Sequence, residues 1–287
     1  MSDVARLSRT VSVPRPKDFT VVEKPLTLGE RLWSSGAFRK SLVLLGLALL
    51  WQGYAQWLDN PLLFPTFVET VQALVQGIIG GDLISAVWVS MQLLLVGYAV
   101  GLVLAALLAV LAITTRLGND VLETMTAMFS PLPAIALLPL ALIWFGLGVG
   151  SIVFVLIHSV LWPVALNTHT GFRAVSNTLR MVGRNYGLRG LPYVALILIP
   201  AAFPSILTGL KIGWAFAWRT LIAAELVFGV TTGGGGLGWY IYQNKNTLEI
   251  PQVFAGLLAV ILVGLLVDNL IFRVIENRTV RRWGMQH

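Results

Sequence analysis

The chain carries little charge for its size. Only 11% of its 287 residues are Asp, Glu, Lys or Arg, against 56% hydrophobic residues, whereas soluble globular proteins carry roughly 25% charged residues. A surface with so few charges must largely face an apolar medium. Several apolar runs reach the ~18 to 20 residues that a helix needs to cross a bilayer, and they are continuous, which disfavours a closed β-barrel. The composition therefore predicts an all-α polytopic membrane protein.

Cysteine is absent, which excludes a disulfide framework and a thiolate metal site. The sequence also lacks the phosphate-binding pattern G-x-x-x-x-G-K-[ST], since the glycine run at 233–236 is followed by no Lys. No Ser/His/Asp set or carboxylate pair has a spacing that implies catalysis. The first apolar run begins near Ser41, too late for a cleavable secretory signal. We therefore expect a chain that is no enzyme, holds no metal and binds no cofactor itself.

Basic residues outnumber acidic ones and give a net charge of +7. In so apolar a chain this excess indicates positive-inside topology rather than nucleic-acid binding. The predicted spans are 41–58, 83–113, 119–145, 151–170, 200–230 and 253–272. With both termini inside, 17 of the 20 Lys and Arg residues fall on the inner side and only Lys245 falls outside. The charge pattern thus predicts six spans with both termini in the cytoplasm.

Three regions follow from this topology. Residues 1–40 are predicted to be a basic cytoplasmic tail, in which 26–38 forms an interfacial helix or only sets the orientation of the chain. Residues 41–278 form the six-helix transmembrane domain, and 279–287 form a cytoplasmic C-terminal tail. Within the domain, 66–78 has apolar residues at helical spacing but is too short to cross a bilayer, so we expect a helix on the outer surface.

The third predicted span contains Pro131, Pro133 and Pro139. Prolines inside a helix leave backbone carbonyls unpaired and bend the helix. In a membrane this is tolerated only where neighbouring helices or a cavity satisfy the freed groups. The segment is therefore either a packed kink or the lining of a translocation path.

Further candidates for such a path are aromatic or charged side chains within the predicted spans. With Pro133 they make the set Pro133, Trp144, Trp218, Arg219 and Glu225. Arg219 would favour an anion if it faces a pore. Glu225 is expected to neutralise Arg219 or Lys211, within one subunit or across a dimer, because buried acids are usually paired.

The inner loop at 171–192 is basic and contains a predicted short helix. Ser176 is a good N-cap residue, the helix extends to Tyr186, and Gly187 fits the C′ position. The spacing places Leu179, Val182, Gly183 and Tyr186 on one face, and Arg180 and Arg184 on another. We expect Gly183 to permit close approach of a partner, and the arginines to pair with its carboxylates.

The spacing after this helix resembles the signature loop of ABC importer permeases. Gly187 is followed after nine residues by Ile197, then one residue, then Ile199 and Pro200. Met181, Val182 and Gly183 occupy the positions of the E-A-A triplet in that signature, so its Glu is missing here. The segments SPLPAIALLPLALIWFG, LNTHTGFRAV, LIPAAFPSILTGLKIGWAFAW, AAEL and GGGLGWYI resemble, in order, the branch that serves nitrate, bicarbonate, taurine and alkanesulfonate uptake.

The resemblance implies a type I, MetI-like permease fold in a bacterial-type plasma (inner) membrane. It implies a homodimer on two cytoplasmic ATPase subunits, which would bind ATP and Mg²⁺, fed by an external solute-binding protein. The permease would translocate a small anionic solute. The ATPase-coupling residues it implies are Leu179, Arg180, Met181, Val182, Gly183, Arg184, Tyr186 and Gly187. The alternative is a secondary transporter or channel that works alone; this predicts internal repeats, and none is clear between the two halves.

Overall fold

The computed structural model describes residues 28–228 and 235–280, and every regular element in those ranges is helical. The chain divides into two compact units, Met1–Leu50 and Trp51–His287. The described part of the first unit contains α1 (Leu28–Ser34) and the beginning of α2 (Gly36–Leu58). The predicted interfacial segment is thus helical but interrupted at Ser35, and the rest of the basic tail lies outside the described residues.

The second unit holds the remaining helices. They are α3 (Phe67–Gly80), α4 (Asp82–Thr114), α5 (Arg116–Phe129), α6 (Leu138–Phe145), α7 (Val149–Ala174), α8 (Asn177–Asn185), α9 (Gly190–Tyr193), α10 (Ile199–Phe228), α11 (Leu237–Asn246), α12 (Ile250–Leu266) and α13 (Arg273–Arg278). Five helical stretches in the described residues are long and apolar enough to cross a membrane, and α5 with α6 makes a sixth if the bent pair is one span. The predicted class of all-α polytopic protein is confirmed.

The third span is not the single kinked helix that the sequence suggested. α5 and α6 meet at 89°, and the chain between them turns through Ser130–Pro133 and a 3-10 turn at Ala134–Leu137. Pro131 and Pro133 lie in this break, where no helical hydrogen bond needs their missing N–H groups. Pro139 lies in the first turn of α6, which is a favourable place for proline.

The fifth and sixth spans, Gly190–Val227 and Ile250–Arg278, extend beyond the predicted bounds because a π-helical segment joins a short helix to each. Val194–Leu198 joins α9 to α10, and Val267–Phe272 joins α12 to α13. Such segments insert an extra residue into a helix without ending it. Lys211 on α10 donates a 2.6 Å hydrogen bond to Glu276 on α13, so an ion pair links the two spans.

α7 forms the centre of the second unit, between α4 and α10. A Cβ atom on Gly97 of α4 would lie 2.6 Å from Cβ of Leu156, and one on Gly101 would lie 2.8 Å from Cβ of Val160. On the other side, a Cβ on Gly213 of α10 would lie 3.0 Å from Val164. The glycines of α4 and α10 therefore let α7 approach both helices closely.

The predicted helix at 66–78 is confirmed as α3. Thr66 accepts a hydrogen bond from the backbone N–H of Glu69, and the Glu69 carboxylate accepts one from the Thr66 N–H. This reciprocal capping box satisfies two donors at the helix start. At the other end Gly81 adopts a φ of 86°, where glycine is favoured, and connects α3 to α4.

Candidate functional site

α8 lies between α7 and α9 and is capped at both ends as predicted. The Ser176 hydroxyl accepts a hydrogen bond from the Leu179 N–H at 3.4 Å. At the C-terminus, the Leu188 N–H donates to the Gly183 carbonyl at 3.1 Å and the Gly187 N–H donates to the Arg184 carbonyl at 2.9 Å. These two bonds define a Schellman motif, which requires the positive φ of 74° that Gly187 adopts.

α8 and its C-cap residue carry apolar side chains that are open to their surroundings. Tyr186 is 82% exposed and Met181 58%, and Leu179 and Val182 are exposed as well. α8 has nine residues, and together with its C-cap residue Tyr186 it carries four exposed apolar side chains. So many exposed apolar side chains are unusual on a helix that faces water alone. The geometry suits a groove in another protein, with the helix presented at the tip of the loop between two long helices.

Gly183 contacts the chain itself, which corrects the expectation that it permits close approach of a partner. A Cβ at this position would lie 2.9 Å from Ile197 and 3.0 Å from the ring of Tyr193. Gly183 is buried, whereas its neighbours on either side are exposed. The glycine therefore seats α8 against α9 and the π-helical segment that leads into α10.

Arg180 also has a role different from the expected pairing with a partner's carboxylates. Its guanidinium donates hydrogen bonds to the carbonyls of Phe172 at 2.6 Å and Val175 at 3.1 Å. Phe172 lies in the last turn of α7, where carbonyls lack their usual partner one turn further on, and Val175 is the residue that caps the helix. Arg180 thus ties α8 to the end of α7. Arg184 is exposed, and its pairing with a partner's carboxylates stays a prediction.

A cavity of about 410 Å³ lies where the break between α5 and α6 meets α7 and α10. Its lining comprises Ser130, Pro131, Leu132, Pro133, Ala134, Ile135, His158, Ser159, Trp162, Pro163, Phe216, Arg219, Thr220 and Ala223. The irregular backbone with its prolines therefore borders a cavity, and its place in a translocation path stays a prediction. Irregular backbone in a membrane is found where it is buried in protein or lines such a space.

Arg219 and Pro133, two of the five path candidates, line this cavity. The Arg219 guanidinium carbon lies 5.6 Å from the centre of the Phe216 ring, a cation–π arrangement. His158 and Trp162 also line the cavity, and neither ring's nitrogen atoms have a hydrogen-bond partner among the described residues. Sequence reasoning did not single out Trp162.

Two further path candidates lie away from the cavity. Trp218 is buried and donates a 3.2 Å hydrogen bond from its indole N–H to the carbonyl of Val260 on α12. Trp144 on α6 is exposed and contacts the rings of Phe145 and Phe154. Their place in a path stays a prediction.

Glu225 is buried, and its partners are not the expected cations. Its carboxylate accepts hydrogen bonds from the Ser90 hydroxyl on α4 and from the Gly238 N–H on α11, each at 2.8 Å. Ser90 in turn accepts a 2.7 Å bond from the Leu237 N–H. Glu225 and Ser90 thus cap the start of α11, where a carboxylate is favoured. No sequence signal marked Ser90, a single hydroxyl in an apolar helix.

The glycines at the start of α11 make this arrangement possible. A Cβ on Gly236 would overlap the Glu225 carboxylate, and one on Gly238 would lie 2.6 Å from Cβ of Glu225. The glycine run at 233–236 lacks the Lys of a phosphate-binding loop. Its last residue and Gly238 instead allow the acid to approach the backbone, and residues 229–234 lie outside the described part of the chain.

Comparison with known proteins adds independent findings. Residues 97–281 match the family model described as "Binding-protein-dependent transport system inner membrane component". A candidate ABC transporter permease of Methanocaldococcus jannaschii is 30% identical over 80% of this chain and 86% of its own length. A nitrate import permease of Synechocystis sp. is 32% identical over 64% of this chain and 66% of its own. A candidate aliphatic sulfonates transport permease of Escherichia coli is 28% identical over 78% and 84%.

Proposed function

Since the chain belongs to the family of binding-protein-dependent transport system inner membrane components, which are permeases of ABC transporters, we propose that it forms the solute path of an ATP-driven importer for small anions. The fold is MetI-like and the chain is a multi-pass membrane protein. Relatives named for nitrate and for aliphatic sulfonates both handle anions, and Arg219 offers a cation in a cavity of this chain.

The exposed apolar side chains of α8 and its C-cap are the observation that carries the coupling role. Leu179, Met181, Val182 and Tyr186 project from a helix whose ends are fixed by capping. Arg180 joins α8 to α7, and Gly183 seats it against the start of the α9–α10 stretch. A force applied to α8 by an ATPase would therefore reach both helices that border the cavity.

The partners follow from this role. Two cytoplasmic ATPase subunits would hold ATP and Mg²⁺ and receive α8 of each permease, and a second copy of this chain would complete the path. An external solute-binding protein would deliver the anion. The permease itself would catalyse no reaction, and both termini would lie in the cytoplasm of a bacterial-type cell with the chain in its inner membrane.

Reconstitution with the partner ATPase and binding protein in liposomes tests the coupling role. Replacing Leu179 and Val182 by Ala and Gly187 by Val should abolish ATP-driven uptake, because the apolar face and the Schellman turn are both lost. ATP hydrolysis stimulated by the loaded binding protein should fall in parallel.

The matched control is Leu107→Ala, which truncates an exposed apolar side chain in the middle of α4. Its uptake should equal that of the unmodified chain. Normal ATP-driven uptake by the triple variant would refute the coupling role of α8. Uptake by the purified chain in liposomes without any ATPase would instead favour a secondary transporter or channel.

A further inference from the structure

The cavity has a polar side made by side chains from two helices. Arg219 of α10 has no ion-pair partner within the described residues, and its position is set by the Phe216 ring. His158 and Trp162 of α7 also line the cavity, and their ring nitrogens are buried without hydrogen-bond partners in the described chain. Buried polar groups in proteins are nearly always hydrogen-bonded. The Arg219 guanidinium is the charged donor that this cavity offers to the oxygen atoms of an anion.

Apart from the hydroxyls of Ser130, Ser159 and Thr220, the remaining lining is apolar and largely flat. Trp162 is stacked on Phe129 with ring centres 5.3 Å apart and planes 8° from parallel. The broken segment adds Pro131, Leu132 and Pro133 from the opposite direction, and Phe216 and Ala223 complete this side. Rigid aromatic and proline surfaces favour burial of an apolar group, and they give a hydrated inorganic ion no substitute for its water.

The volume also discriminates between solutes. A cavity of about 410 Å³ lies within the roughly 300 to 1,000 Å³ that small organic ligands occupy. An ion of four atoms such as nitrate would fill a small part of it and would contact the polar side alone. The charge, the lining and the volume of the cavity therefore all favour a solute with one anionic head and an apolar body.

We propose that this cavity is a binding site for an organic anion, a sulfonate or carboxylate whose head pairs with Arg219 and whose apolar body, best a flat ring, lies between Trp162, Phe216 and the broken segment. The inference rests on the proposed function, because it names the solute class of the same path. It assigns part of the solute selection to the permease itself, in addition to any selection by an external binding protein.

Binding to the purified permease–ATPase complex in lipid nanodiscs tests the site without the binding protein. Calorimetric titration would use benzenesulfonate, with methanesulfonate as the same head without a ring, benzyl alcohol as the ring without a charge, and nitrate as the inorganic anion. Benzenesulfonate should bind about tenfold or more tightly than each of the other three. Arg219→Gln should weaken benzenesulfonate binding by about tenfold or more, because a charge-assisted hydrogen bond is lost.

Lys245→Gln is the matched control, since it removes a cation at the end of α11, outside the cavity lining. Its affinity for benzenesulfonate should be unchanged. Arg219 is exposed within one chain, so its replacement does not disturb the core, and co-purification of the ATPase verifies each variant's assembly.

The outcomes separate the two proposals. Absence of saturable benzenesulfonate binding, equal binding of nitrate or methanesulfonate, or unchanged affinity in Arg219→Gln would each overturn the organic-anion site while the ATPase still co-purifies. If the unmodified chain fails to co-purify with any ATPase, the proposed function fails, and the inference fails with it.

Discussion

Ser90 and Glu225 show how two residues 135 positions apart determine the start of a helix. The carboxylate and the hydroxyl together accept bonds from the first two N–H groups of α11, those of Leu237 and Gly238. The same atoms connect α4, α10 and α11 at one point. Because the junction is buried, the loss of either partner would leave a donor or acceptor without a hydrogen bond. Substitutions at this junction are therefore expected to lower the stability of the fold.

Ser90→Ala should therefore lower the free energy of unfolding by about 1 to 3 kcal/mol, because the Leu237 N–H loses its acceptor and Glu225 loses a donor. Thermal unfolding of the purified protein in detergent, followed by Trp fluorescence, measures the change. Ser85→Ala, on the same helix but exposed, should unfold at the temperature of the unmodified chain. Equal midpoints for the two variants would show that the junction adds no stability.

Arg180 and Arg184 look equivalent in sequence but differ in the structure. Arg180→Gln should destabilise the chain by roughly 1.5 to 3 kcal/mol, since charged hydrogen bonds to the end of α7 are lost. Arg184→Gln should change stability by less than about 0.5 kcal/mol, as is usual at exposed positions. Chemical denaturation in mild detergent compares them, and similar losses for both would refute the capping role of Arg180.

At the scale of helices, the contacts of α7 depend on glycine. Gly97→Ala should cost about 1 to 3 kcal/mol of stability, because the added methyl group would overlap Leu156 in a packed interface. Gly53→Ala is the matched control: this glycine is also helical, and a Cβ there has no neighbour within 4 Å. Its stability should stay the same or rise, given the higher helix propensity of Ala. A Gly97→Ala protein that unfolds at or above the temperature of the Gly53→Ala protein would contradict close packing.

The helices themselves were largely predictable, and the reason is local. Apolar length identified the spans, and the caps at Ser176 and Gly187 follow from the preferences of those residues. The 89° angle between α5 and α6 was not predictable, because prolines show where a helix breaks but not the direction of the chain after the break.

The candidate site was predictable only in part, since its contacts join distant segments. Arg219 stood out as a charge within an apolar span, and the prolines marked the segment that faces it. The aromatic pair of Phe129 and Trp162 is formed by two different helices, and the seat of Gly183 on Tyr193 depends on a turn between them. Amino-acid composition does not predict contacts of this kind between residues of different helices.

For the molecule as a whole, the absence of cysteine gives a clean test of orientation. A single Cys replacing Lys245 on α11 should react with a membrane-impermeant maleimide on intact cells. A Cys replacing Asp120 on α5 should react only after the membrane is permeabilised, because the positive-inside pattern puts α5's beginning in the cytoplasm. Both side chains are exposed, and the reverse labelling pattern would overturn the proposed topology.

The separation between the glycine contacts and the cavity wall has a consequence for evolution. Gly97 and Gly101 hold α4 against α7, whereas Phe216, Ala223 and Leu132 shape the cavity and take no part in that contact. If the cavity is the proposed binding site, substitutions at its wall would change which solute fits while the contact between α4 and α7 is kept. Proteins descended from this one would then change the solute they bind through a few substitutions in the cavity wall, without a change in helix packing.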